Sequence, residues 1–200
     1  MLASINPLGE RARGTKFGRT FAWYAAGSVA GGAAIGALMG GIGEALRATV
    51  DLSHSAVAIV IAVACAIGIA LDTHVAGLRL LSPRRQVNED WLSTYRGWLY
   101  GVGFGFELGL GVVTVVPTSA VYVMLLLEVL SGSMVHAVLI GVAFGAARAL
   151  PLLVTRPVRD PDQLRTTLGH VHRYAIPVDL LTRAAVTTLG AVGIVAAVVA

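Results

Sequence analysis

The chain has 200 residues, of which 56% are hydrophobic and 13% charged, with a formal net charge of +4. An average soluble domain carries about 25% charged residues, so a water-facing globule of this size is excluded and most of the chain must face lipid. The basic residues stand in gaps between apolar runs rather than along one stripe, which suits an anionic lipid leaflet and argues against a nucleic-acid partner.

The first twenty residues are polar and basic, so no cleavable signal peptide is expected and the first apolar run must itself direct insertion. Residues 20–43 carry no charge and exceed the roughly 20 residues needed to cross a hydrocarbon core. A second apolar run lies between His54 and Asp72 and contains Cys65, the single cysteine. With one cysteine, no disulfide or cysteine cluster can form within the chain, and a small buried apolar residue is the expected role. The third region, 97–130, is broken in charge only by Glu107. Its roughly 34 residues are too long for one simple span and too short for two. A fourth run, 133–155, contains Arg148, and the last opens at Pro177, a favoured first helical position.

Charge decides how the third region crosses. If it crosses once, one side holds Arg11, Arg13, Lys16 and Arg19, then Arg79, Arg84, Arg85 and Arg96, then Arg156, Arg159, Arg165 and Arg173. The other side holds only Arg47. The positive-inside rule makes the crowded side cytoplasmic. The expectation is an all-α, polytopic membrane bundle of about five segments in one domain, 1–200. Residues 1–19 form a basic cytoplasmic N-terminus, and spans run at about 20–46, 55–72, 97–130, 133–155 and 177–200. The third span is broken near Pro117, because an internal proline removes a backbone donor and kinks a helix. The C-terminus falls outside, in a plasma (inner) membrane.

The loops offer less. Trp91, Tyr95, Trp98 and Tyr100 form an interfacial aromatic anchor. His170 and His172 lie in a stretch, 156–173, expected to be a solvated loop. Asp179 and Arg183, four apart, suit a local ion pair. Met124, Glu128, Met134 and His136 gather near segment ends, a set soft enough for copper but also one that arises by chance. No metal and no cofactor is expected. Phosphate loops, metalloprotease histidine pairs and nucleophile elbows are missing from the sequence, so an enzyme is not expected.

Glycines recur every four residues. Gly97, Gly101, Gly105 and Gly109 form one strip, Gly141 and Gly145 a second, and Gly32, Gly36 and Gly40 a third. Such strips let helices pack tightly in lipid, and could also bind a second copy or a membrane protein partner. Glu107 and Arg148 sit beside them at compatible depths. A charge at mid-bilayer faces the interior and finds a partner, so the two mark a substrate or proton site or an ion pair that locks helices. Thr114, Thr118 and Ser119 flank Pro117, where hydroxyls can bond freed carbonyls or line a polar path.

The order of these features resembles a known family. A glycine-rich span, an uncharged span ending in a Pro83-Arg84-Arg85 loop, and a long glycine-patterned span broken at Pro117 come first. A span reading Gly-Val-Ala-Phe-Gly-Ala-Ala-Arg-Ala-Leu-Pro over 141–151 and a plain last helix follow. This is similar to the transmembrane family of cytochrome c biogenesis and thiol–disulfide interchange proteins, the CcdA/DsbD type, across about 20–200. The resemblance implies six spans in two inverted repeats and a relay of two membrane cysteines, one in the first span and one after a proline in the fourth. Here Thr118 follows Pro117 where that cysteine would stand, Cys65 matches neither position, and the chain starts just before the family's second span. A thiol relay needs a thiolate attacking a disulfide, so the relay is expected to be lost. The wider group of small exporters shares this plan and places its sites at interrupted helices. The leading expectation is a small-solute or ion permease with Glu107 and Arg148 as its charged site. The alternative is a non-catalytic membrane subunit that packs against a partner in a redox or cytochrome-biogenesis assembly.

Overall fold

The structure is a computed structural model and describes residues 5–74, 96–113, 116 and 118–199. Its helices are α1 (Pro7–Ala12), α2 (Phe17–Thr49), α3 (His54–Asp72), α4 (Gly97–Gly109), α5 (Ala120–Leu130), α6 (Met134–Ala149) and α7 (Pro161–Val199). A 3-10 turn, Leu150–Thr155, extends α6. Four stretches are long and apolar enough to cross a membrane: α2, α3, α6 with its extension, and α7. The chain is a multi-pass helical membrane bundle.

The long third region is two half-length helices. With 13 and 11 residues, α4 and α5 would measure about 20 and 16 Å, each short of a hydrocarbon core of about 30 Å. The backbone leaves the helix after Gly109, turns through Gly111 at φ 77° and resumes at Ala120. Thr114 and Pro117 lie outside the described residues, as do Arg79, Arg84, Arg85, Trp91 and Tyr95.

Glycine decides the packing of one half of the bundle. Helix α2 lies between α4 and α6. A methyl group on Gly105 or Gly109 would overlap the carbonyls of Tyr24 or Ser28, and one on Gly101 would press on Trp23 and the Thr20 carbonyl. On the opposite face Gly32 and Gly141 each meet the other's carbonyl, Gly145 meets that of Ser28, and Gly36 that of Ala137. Ser28 Oγ donates to the Gly145 carbonyl at 2.7 Å. Backbone thus touches backbone on both faces of α2, the close approach that lipid-embedded helices use in place of a hydrophobic drive.

The other half is a pair. Helices α3 and α7 pack together through Gly190 on Cys65 and Gly193 on Ala58 and Ala62. They join the rest mainly through α5, where Cys65, Val123 and Val186 form a small core. Their outer faces leave Ile59, Val63, Ile67, Val192 and Val195 more than half exposed, the surface that lipid covers.

Two local readings need correcting. Residues 161–173 are helix rather than solvated loop: α7 starts at Pro161, and Pro177 lies inside it. The proline-at-start signal was sound but belongs to Pro161, where the Asp160 side chain accepts from Gln163 N at 2.8 Å, a capping geometry that Pro177 lacks. The basic N-terminus is also more than a charged tail. Asn6 caps α1 by accepting from Leu8 N and Gly9 N, and Gly14 at φ 70° turns the chain into α2.

Candidate functional site

The break between α4 and α5 is held by a carboxylate from elsewhere in the chain. Asp72, the last residue of α3, is buried. It accepts hydrogen bonds from Thr118 Oγ1, Ser119 N and Ser119 Oγ, each at 2.8 Å. Ser119 is the N-cap of α5 and contributes no cap bond of its own. Asp72 thus meets an orphan backbone donor and two hydroxyls at once. Thr118 and Ser119, expected at the break, are therefore brought together, but by a residue that had served only as a span boundary. Beside them an apolar groove of about 360 Å³ runs between α3 and α5, floored by Gly68 and Ser119 and walled by Ile67, Leu71 and Tyr122.

The two charges singled out in the sequence do not form a described ion pair. Arg148 is half-buried on α6 and lies over the Phe144 ring at 5.4 Å, a cation–π contact that shields a charge from lipid. Glu107 is half-buried on α4. Asp179 and Arg183 pair at 2.7 Å, while His170 and His172 stand on the exposed start of α7. Met124 and Glu128 are buried, whereas Met134 and His136 are exposed. Among the described residues no group of three or more His, Cys, Asp or Glu side chains is placed to hold a metal.

Two buried carboxylates complete the inventory. Glu10 on α1 has no exposed surface. It accepts from Tyr100 Oη at 2.7 and 2.8 Å, from Arg13 Nη2 at 2.6 Å, and from the hydroxyls of Thr15 and Thr20. Burial pushes its pKa up, but the hydrogen bonds from Thr15, Thr20, Arg13 and Tyr100 outweigh that and hold it below the usual carboxylate value. For Arg13, burial works against the charge while the bond to Glu10 raises its pKa overall. Glu128 on α5 is equally buried, but neither of its carboxylate oxygens has a hydrogen-bond partner. One oxygen faces the bare Cα of Gly141. Hydropathy could not separate these two acids, since the partners of Glu10 come from as far as Tyr100. The cue that was available is the Asn6-Pro7 pair, a helix-start signature ahead of Glu10.

The family described as "Cytochrome C biogenesis protein transmembrane region" matches residues 3–159. The chain belongs to this family. It is also similar to the "Methylamine utilization protein MauF" of Methylophilus methylotrophus, 30% identical over 184 residues, which cover 89% of this chain and 62% of that relative. The protein of the same name from Paracoccus denitrificans is 34% identical over 145 residues, covering 70% and 50%. That from Paracoccus versutus is 32% identical over 173 residues, covering 84% and 61%. The chain thus spans between half and two thirds of the length of these curated relatives. No solved structure matches it.

The side chain after Pro117 is the Thr118 hydroxyl, bonded to Asp72, and the chain's one thiol, Cys65, is buried at 1% exposure against Gly190. Two cysteines able to form a disulfide within the chain do not exist in this sequence.

Proposed function

We propose that this chain is an accessory membrane protein of its family that works without a thiol relay, in amine utilisation of the kind its relatives are named for. The observation that carries this is the Thr118–Asp72 bond at the position after Pro117. A hydroxyl can neither form a disulfide nor leave as a thiolate, and Cys65 is too buried and too solitary to stand in. Such a protein acts by what it holds: a partner protein set against the glycine-packed bundle. The test is a chimaera in which the matching segment of the Paracoccus denitrificans relative is replaced by this chain in a strain lacking that relative. Growth on methylamine should be restored and should be indifferent to Cys65→Ala. A chimaera that accumulates in the membrane but does not restore growth overturns the amine role. Loss of growth on Cys65→Ala alone overturns the relay-free reading.

A second reading, a small-solute or ion permease, is favoured by Glu128. A buried carboxyl with no donor is costly, and a charge-capable group inside a membrane bundle marks a path more often than a scaffold. Glu107, Arg148, Thr118 and Ser119 would border that path. Uptake of radiolabelled methylammonium into proteoliposomes, lost in Glu128→Gln, is the expected outcome. Uptake no faster than in protein-free vesicles sinks this reading. Both readings place the chain in the plasma membrane with its N-terminus cytoplasmic and its C-terminus outside. A topology reporter at Ala200 that reads cytoplasmic would reverse that orientation.

A further inference from the structure

A cavity of about 630 Å³ opens where the chain turns from α1 into α2 and where α4 begins. Lys16, Arg19 and Arg96 line it together with Gly97 and Trp98. All three cations are exposed, and none has an acidic partner among the described residues. The carboxylate behind the wall, Glu10, is already engaged by Arg13, Tyr100 and the hydroxyls of Thr15 and Thr20, two further lining residues.

Backbone adds to the same sign of charge. Lys16 and Arg96 are the N-cap residues of α2 and α4, and neither supplies a side-chain cap bond. A short acceptor such as Ser or Asp ordinarily stands there to meet the orphan N–H groups. Instead, cations sit at two helix ends that are themselves positive, around one cavity. Among the described residues that arrangement is repulsive, and a polyoxygen anion would relieve it.

We propose that this cavity binds the phosphate of an anionic phospholipid head group. A lipid source follows from what surrounds it. Trp98 and Trp23 pair beside the cavity at 6.3 Å between ring centroids and are 46% and 41% exposed, the amphipathic belt found at head-group level. Beyond Trp98 the outer face of α4 continues with exposed Leu99 and Phe106, an apolar track for an acyl chain hanging from the bound phosphate.

The protein purified in a neutral detergent tests this directly. Phosphatidylglycerol should raise the thermal midpoint with the logarithm of its concentration, by about 5 °C or more at a hundredfold excess over Kd. Phosphatidylcholine and millimolar inorganic phosphate should leave it unmoved. In the triple variant Lys16→Gln, Arg19→Gln, Arg96→Gln the shift should vanish while the lipid-free midpoint stays at or rises above the wild-type value, since the repulsion among the cations is gone. The charge-matched variant Arg156→Gln, Arg159→Gln, Arg173→Gln should keep the shift. Native mass spectrometry of the wild type, which depends on no variant, should retain phosphatidylglycerol in preference to phosphatidylcholine. Equal loss in both triple variants would reduce the effect to general surface charge and overturn the site. Stabilisation by inorganic phosphate that abolishes the lipid shift would overturn the lipid source, and equal retention of the two lipids would overturn the selectivity.

Discussion

Glu10 and Glu128 are both completely buried carboxylates, one at the mouth of the bundle and one inside it, and they are treated in opposite ways. Glu10 is saturated by a guanidinium, a phenol and two hydroxyls, whereas Glu128 faces a glycine and has no donor. Satisfied buried networks fix a unique structure. An unsatisfied group in a native protein is a cost that calls for another reason to exist. The contrast separates an acid that builds the fold from one that costs the fold stability.

Removing Glu10 breaks this comparison most severely. Glu10→Ala removes the carboxylate that Arg13 and three hydroxyls share, and should cost about 3–5 kcal/mol, read as a lower thermal midpoint in detergent. A loss as small as that of an exposed side chain would mean that α1 does not hold α2 and α4 together. Asp72→Ala should come next, at about 2–3 kcal/mol, since two hydroxyls and the Ser119 N–H lose a charged acceptor. Its signature would be faster hydrogen exchange at the start of α5, with α2 and α6 unchanged. Glu128→Met should move the other way, raising stability by about 1–2 kcal/mol, because a carboxyl without donors is exchanged for an apolar chain of similar size. If that variant were destabilised instead, Glu128 would have a partner and the contrast would disappear.

A pH titration is the gentlest probe. The Glu10 pKa lies below its unfolded-state value, so its stabilising network is complete above the ordinary carboxylate value of 4.5 and is lost as the pH falls from there through the depressed folded value. Wild-type protein should therefore lose stability over that acid window more steeply than Glu10→Gln. Parallel curves would show that Glu10 is not the group being protonated.

Much of this architecture was legible in the residues. Uncharged runs mark spans because lipid tolerates few charges, and the interruption of the long third run followed from its awkward length. Glycines at every fourth position sit on one face by helical geometry alone, so the faces of α4 and α6 that meet α2 could be named in advance. What stayed hidden is where polar groups meet. Asp72 bonds a residue pair 46 and 47 positions away, and Tyr100 reaches Glu10 across 90. Asp72 sits at the end of an apolar run and Glu10 in a polar, basic segment, places where a charge ordinarily means exposure, and only the fold turns them inward. Arg148 carries a related ambiguity: a cation inside a membrane needs relief, and here the Phe144 ring lies beneath it.

The glycine notches along α2 also divide the molecule mechanically. With carbonyls of one helix seated against the bare Cα atoms of the next on both sides, α2, α4 and α6 cannot slip by small amounts. Any slide must jump a full helical turn, about 5.4 Å, unseating every notch at once. Helices α3 and α7 are under no such constraint, since they lean on the block mainly through α5. The three-helix block is therefore the interlocked part of the molecule, and the α3–α7 pair, tied to α5 by the Asp72 bonds, lies outside that interlock.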